Sequence, residues 1–217
     1  MRGMEAAGAK VSSLHDDSRT GRMRRRIHDA ARRAFAEQGT AVQIDDIIKL
    51  AGIARGTFYN YFRTVDELFE HVAAEMAHDL GERIYARNSV IPDPAHRISN
   101  GLRYFCMKAH TDRDWGMFLA HFGLSTETLQ TAMLETGYRD IEDGIAEGRL
   151  HVRPDQAISA LALLAGGVLA SIKLVVNGAE TPTRAGENIA EMGLRALGLD
   201  AEEAASLARA PLVPLED

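Results

Sequence analysis

The sequence predicts an all-α protein, a small amino-terminal bundle of three helices joined to a larger helical domain. Three observations carry that prediction. Apolar residues recur at three- and four-residue spacing from Ile27 onward. Capping residues, prolines and glycines mark helix starts and stops, and no segment alternates as a strand would. At 217 residues, 46% hydrophobic and 26% charged, the chain has the composition of an ordinary globular protein of one or two domains.

Residues 1–20 show no sustained periodicity and read as a mobile arm. The first helix follows, with Ile27, Ala30, Ala31, Ala34 and Phe35 on one face and Gly39 at its end. Ile44, Ile47, Ile48 and Ala51 repeat the spacing in a short second helix closed by Gly52. A third short helix, running to Arg63, carries the stretch GTFYNYF, residues 56–62. Helix, glycine turn, helix is the outline of a DNA-reading helix-turn-helix.

The aromatics of that stretch sort by angle. Phe58 and Phe62, four apart, point to a core with Phe35, Ile44 and Ile48. Gly56, Thr57 and Asn60 lie opposite, flanked by Arg55, Tyr59 and Tyr61. This exposed set holds hydrogen-bonding groups and a guanidinium without an acid, as a surface for base edges and phosphates requires. Charge agrees: residues 1–63 sum to +5 and the rest to −11, within a net −6. Thr64 and Glu67 form a capping box that opens a fourth helix with Leu68, Phe69 and Val72 buried.

The stretch IDDIIKLAGIARGTFYNYFRTVDELF, residues 44–69, resembles the DNA-binding domain of the tetracycline-repressor (TetR) family. That family comprises all-α, homodimeric, ligand-responsive transcription regulators. The resemblance implies that Arg55, Gly56, Thr57, Tyr59, Asn60 and Tyr61 face DNA. Arg63, Gln43 and Arg25 are candidate backbone contacts. The chain departs from the family pattern in having Val42 and Gln43 where Thr or Ser is common, Ala54 where Ser is common and Val65 where Lys is common. The domains expected are residues 21–66 for DNA binding, 67–210 for ligand binding and dimerisation, and 211–217 as a tail.

The remainder reads as helices: one from about Thr64 to Arg87, one opened by Asp93-Pro94, a short one over Asp114–Gly123 and a longer one ending near Gly148. Arg153-Pro154-Asp155 begins another, Thr181-Pro182 the next, and a short tail helix follows. Residues 157–176, AISALALLAGGVLASIKLVV, are apolar for nearly the length of a membrane span. Lys173, two serines and the Gly166-Gly167 pair argue instead for a helix buried against its own domain and a partner. Gly166, Gly167 and Ala170, with Ala190 and Gly193 on the following helix, form a small-residue surface that the resemblance assigns to a four-helix dimer interface.

Tyr104, Phe105, Met107, His110, Trp115, Met117, Phe118, His121 and Phe122 crowd into nineteen residues, with Met133 and Tyr138 beyond. A helical core accounts for most of them, while the family resemblance implies an effector pocket here. Its candidate lining is Phe105, Trp115, Phe118, His121, Phe122, Met133 and Tyr138.

Catalytic motifs are missing: no GxSxG, HExxH, phosphate-binding loop or dinucleotide fingerprint occurs. His71, Glu75 and His78 share a helical face, an arrangement more typical of solvated side chains than of a metal site. No metal, cofactor or enzymatic activity is expected. The single cysteine, Cys106, excludes an internal disulfide, and residues 1–26 hold no apolar signal-peptide core. Cytoplasmic residence is expected.

The sequence therefore points to a dimeric repressor that binds a palindromic operator and is released by a small, mostly apolar effector. The alternative is a helical enzyme or small-molecule carrier with a vestigial DNA-binding motif.

Overall fold

The computed structural model describes residues 18–123 and 127–215, with the side chains of residues 77–79 and 127–136 outside the description. Every regular element among these residues is helical. Helix α1 (Arg19–Gln38) starts where the Ser18 hydroxyl accepts the Gly21 N–H at 3.1 Å. It takes in Arg19 and Thr20, which the sequence reading assigns to the arm. Residues 1–17 lie outside the described part. Helix α2 (Ile44–Ala51) ends at Gly52, whose φ of 60° is a left-handed cap that favours glycine.

Helix α3 spans Arg55–Tyr59, shorter than its expected run to Arg63. The last turn persists without it: Tyr61 and Phe62 both donate to the Phe58 carbonyl, at 2.9 and 3.0 Å. Phe62 thereby stays beside Phe58, ring centroids 6.1 Å apart, and both are buried. Ile47 fills the core position beside them, while Ile44 and Ile48 are only half-buried. Helix α4 (Val65–Asn88) opens where the Thr64 hydroxyl accepts the Glu67 N–H at 3.0 Å and the Glu67 carboxylate accepts the Arg63 N–H at 2.7 Å. Leu68 and Val72 join the core, and Phe69 meets Phe35 edge-on at 5.0 Å.

Two compact units divide the chain between His78 and Asp79, inside α4, whereas the sequence places the boundary at residues 66–67. The second unit is built on α5 (Pro94–Thr111), which packs against α6 (Arg113–Phe122), α7 (Glu127–Ala146), α8 (Ala157–Val176), α9 (Pro182–Ala196) and α10 (Ala201–Arg209). Asp93 starts α5: its carboxylate accepts the Ala95 N–H at 2.9 Å and pairs with Arg149, which also reaches Glu203 at 2.8 Å. Residues 211–215 of the expected tail run along α5, where Tyr104 donates to the Val213 carbonyl and Arg103 to that of Ala210, each at 2.6 Å. Cys106 is buried, and burial first, then the charge of Glu180, pushes its thiol up to about 12.

Residues Pro154–Val176 are long and apolar enough to cross a membrane. Within α8, however, Leu161, Leu164, Val168 and Ile172 are buried inside the protomer. Elsewhere on the helix Ile158 is 66% and Leu163 59% exposed, and Met192 on α9 is 66% exposed. This corrects part of the small-residue surface. A Cβ on Gly167 would lie 2.5 Å from Ile189, and one on Gly193 would lie 2.6 Å from Leu164. Both glycines, with the fully buried Ala190, serve the packing of α8 on α9 within the protomer. Gly166, whose Cβ would meet nothing within 4 Å, and the exposed Ala170 remain on the outer side.

Candidate DNA-binding face and effector cavity

The short α3 presents its polar residues outward because Phe58 is fully buried, which turns the other side of the helix to solvent. Arg55, Gly56 and Asn60 are exposed, Tyr59 is 48% exposed, and Thr57 and Tyr61 are half-buried. No atom lies within 4 Å of where a Gly56 Cβ would stand, so this glycine leaves backbone accessible rather than serving internal packing. Arg63 is exposed and Arg25 half-buried. Gln43 is exposed at the start of α2, where its own N–H donates to Asp46 at 2.9 Å and its side-chain amide to the Ala41 carbonyl at 3.3 Å.

One feature corrects the acid-free reading of this face. Asp45, from α2, pairs with Arg55 at 2.9 Å. A hydrogen bond with Tyr59, then the charge of Asp45, holds the Arg55 guanidinium above its ordinary value. Arg24 lies over the Phe62 ring at 5.9 Å, and Arg26 donates to the Gly52 carbonyl at 3.4 Å. The basic run thus touches the domain through two of its guanidinium groups as well as carrying charge.

In the second unit a narrow cavity of about 70 Å³ lies between α5, α7, α8 and the end of α4. Its walls are Ile84, Ile98, Leu102, Phe105, Leu161, Leu164, Ala165 and Val168, with Gly101 and Gly137. Asn88, Arg97 and Asp140 supply the polar atoms. Of the expected lining, Phe105 alone among the described residues stands in this wall. Trp115 packs behind it, ring centroids 5.9 Å apart, and is itself buried. Phe118 and Phe122, 5.0 Å apart, are core residues of α6. A Cβ on Gly116 would come within 2.6 Å of Val176, so α6 sits tightly against α8. That closeness explains why the aromatic run of α6 builds core instead of cavity. His121 is exposed, and Tyr138 is half-buried, bonded to Glu142. The Met133 side chain lies outside the described residues.

The polar end of the cavity is held by Arg97. Its Nε donates to Asp140 at 2.6 Å, one terminal nitrogen to the carbonyls of Ile91 and Pro92 at 3.2 and 3.1 Å, and the other to Asp143 at 2.7 Å. Burial would lower this guanidinium, but Asp140 foremost, with Asp143 and Glu147, outweighs it and raises the value. Burial pushes the Asp140 carboxyl above the usual carboxylate range, and Arg97 only partly offsets that. The sequence signal for this end was a charged residue and a glycine, Arg97 and Gly101, on the same stripe as Ile98, Leu102 and Phe105. Among the described residues no group of three His, Cys, Asp or Glu side chains could hold a metal.

A helix-turn-helix with an exposed polar reading face, followed by a helical domain with an apolar cavity, defines a DNA-binding regulator with a small-molecule site. The profile described as "Bacterial regulatory proteins, tetR family" matches residues 27–72, and that described as "Tetracyclin repressor-like, C-terminal domain" matches residues 93–210. The chain belongs to the tetracycline-repressor family of transcriptional regulators. No curated protein sequence matches it. Among solved structures, RolR in complex with resorcinol superposes with a TM-score of 0.72 at 28% identity, covering 90% of this chain and 97% of RolR. RolR without ligand gives 0.69 at 27%, covering 88% and 100%. SmeT, described as the repressor of the Stenotrophomonas maltophilia multidrug efflux pump SmeDEF, gives 0.64 at 22%, covering 80% and 89%, and shares the fold.

Proposed function

We propose that this regulator is a homodimeric repressor that leaves its operator when a small, largely apolar phenolic effector enters the cavity of the second unit. The observation that carries the reading is the wall of that cavity. Ile84 and Asn88 belong to α4, the helix that begins three residues after the Phe62 anchor of the reading face. A ligand that favours one setting of α4 would bias DNA binding, provided its affinity differs between the settings. The RolR structure, solved with resorcinol, supports a single-ring phenol as the effector class. A cavity of about 70 Å³ is well below the 300–1,000 Å³ of drug-sized sites, so the ligand is small and the walls must widen around it.

The dimer is proposed through the outer side of α8 and α9, where Ile158, Leu163 and Met192 leave apolar area uncovered. Two-fold symmetry then requires a palindromic operator with half-sites whole turns apart, ~34–36 Å each. Arg55, Gly56, Thr57, Tyr59, Asn60 and Tyr61 read bases, with Gln43, Arg63 and Arg25 on the backbone. The protein acts without enzymatic turnover, metal or cofactor, and works in the cytoplasm. The test is selection of bound sequences from random duplex DNA, followed by release of the selected operator on adding resorcinol. A selected motif without dyad symmetry, or turnover of the phenol with no change in DNA binding, would favour the helical enzyme or carrier instead.

A further inference from the structure

Asn88 is 3% exposed at the polar end of the cavity. Its amide nitrogen donates to the Arg97 carbonyl at 3.0 Å. That bond fixes the orientation of the amide, since turning it over would set one carbonyl oxygen against another. The other atom of the amide, Oδ1, is buried with no hydrogen-bond partner. Buried acceptors are nearly always paired, so an orphan in a cavity wall marks a place where something else donates.

The neighbouring groups sharpen what that donor can be. Four of the five N–H hydrogens of Arg97 are engaged, by Asp140, Asp143 and two carbonyls. Asp140 spends one oxygen on Arg97 and keeps a second as an acceptor. This end of the cavity therefore offers acceptors and almost no spare donor. The same three residues, Asn88, Arg97 and Asp140, also line a polar surface recess of about 280 Å³ beside Tyr85, Ser89, Arg139 and Glu142. They line both the apolar cavity and this recess.

We propose that Asn88 is the specificity-determining residue of the effector site: its Oδ1 accepts a hydrogen from a neutral single-ring ligand bearing two hydroxyl or N–H donors, Asp140 accepts the second, and carboxylates are turned away. A carboxylate would meet Asp140 and find Arg97 already committed, while a second hydroxyl relieves the orphan acceptor. This inference rests on reading the cavity as the effector site.

The test uses the full-length protein with three probes: resorcinol, 3-methoxyphenol, which lacks one donor, and 3-hydroxybenzoate. Affinity is read by calorimetry and function by release of operator DNA. Resorcinol is expected to bind at least about tenfold more tightly than 3-methoxyphenol, with 3-hydroxybenzoate weaker than both. In Asn88→Leu the advantage of resorcinol over 3-methoxyphenol should vanish, because the orphan acceptor is gone. The wild-type series needs no variant to fold. If 3-methoxyphenol or 3-hydroxybenzoate matches resorcinol, or Asn88→Leu keeps the discrimination, the assignment of Asn88 is overturned while the effector site stands. If none of the three binds, the phenolic effector reading fails and this inference fails with it.

Discussion

Arg55, the first residue of the short α3, is held by Asp45 of the preceding helix, guanidinium to carboxylate at 2.9 Å. Both side chains are more than half exposed, at 55% and 74%, so the pair adds little stability. Its consequence lies at the DNA. In the role proposed for Arg55, a carboxylate beside its guanidinium repels phosphate and competes for the donors that would bind a guanine edge.

Arg55→Ala should weaken operator binding by about 1–3 kcal/mol. Asp45→Asn should do the opposite, tightening binding to unrelated duplex by removing a repulsion of phosphate, and to operator further by freeing the guanidinium donors. Fluorescence anisotropy over a range of salt concentrations checks both. The arginines at positions 22–26 should make affinity fall steeply with salt.

Phe58 and Tyr59 are neighbours in sequence and opposites in environment, fully buried against 48% exposed. Phe58→Ala should cost about 3–5 kcal/mol of stability. Tyr59→Ala should leave the melting temperature nearly unchanged and reduce operator affinity. Thermal melts paired with DNA titrations separate the two effects.

Sequence spacing encodes short-range relationships and leaves long-range ones open. Helix periodicity and the sorting of Phe58 from Tyr59 depend on residues a turn apart, so spacing alone exposes them. The polar end of the cavity unites Asn88, Arg97 and Asp140 from three helices, and only tertiary packing brings them together. The aromatic run of α6 misleads for the same reason. Gly116 lets α6 approach α8 so closely that Trp115, Phe118 and Phe122 become core. Small residues are ambiguous in a similar way: Gly167 and Gly193 announce a close helix approach, but not whether the neighbour belongs to the same protomer.

That ambiguity yields a prediction. Gly167→Leu and Gly193→Leu should destabilise the protomer itself, by about 1–3 kcal/mol or more, since each side chain would collide with Ile189 or Leu164. Leu163→Glu and Met192→Glu should instead leave the fold intact and break the dimer, because both positions are exposed in the protomer. Sedimentation alongside circular dichroism distinguishes loss of association from loss of structure.

Acid sensitivity follows from Asp93. Burial pushes its carboxyl up, but Arg149 and the Ala95 N–H outweigh that and hold it below the usual carboxylate value. A carboxyl lowered in the folded state contributes stability above its unfolded value near ~3.9 and loses it as pH falls through the folded value. Asp93→Asn should cost about 1–2 kcal/mol at pH 7, after allowing for partial exposure. The stability gap between the two proteins in denaturant titrations should start to shrink as pH falls below about 4 and close only below the lowered folded-state value.

Gly101 separates the cavity from the fold. It lies in the middle of α5, where glycine costs about 1 kcal/mol relative to alanine, and a Cβ there would meet nothing within 4 Å. The open space is the cavity, which Gly101 lines beside Phe105 and Leu164. Gly101→Ala should therefore raise thermal stability by about 0.4–1 kcal/mol, since no contact is strained and the unfolded chain loses freedom. Gly101→Leu should go further and occupy the space the effector needs. In both variants ligand-free operator binding should match wild type, and in Gly101→Leu no phenol should release DNA or raise the melting temperature. Calorimetry with resorcinol, melting curves and operator titrations on the same preparations make the comparison. If Gly101→Leu still releases DNA at wild-type phenol concentrations, the effector binds elsewhere and this cavity is only a packing void.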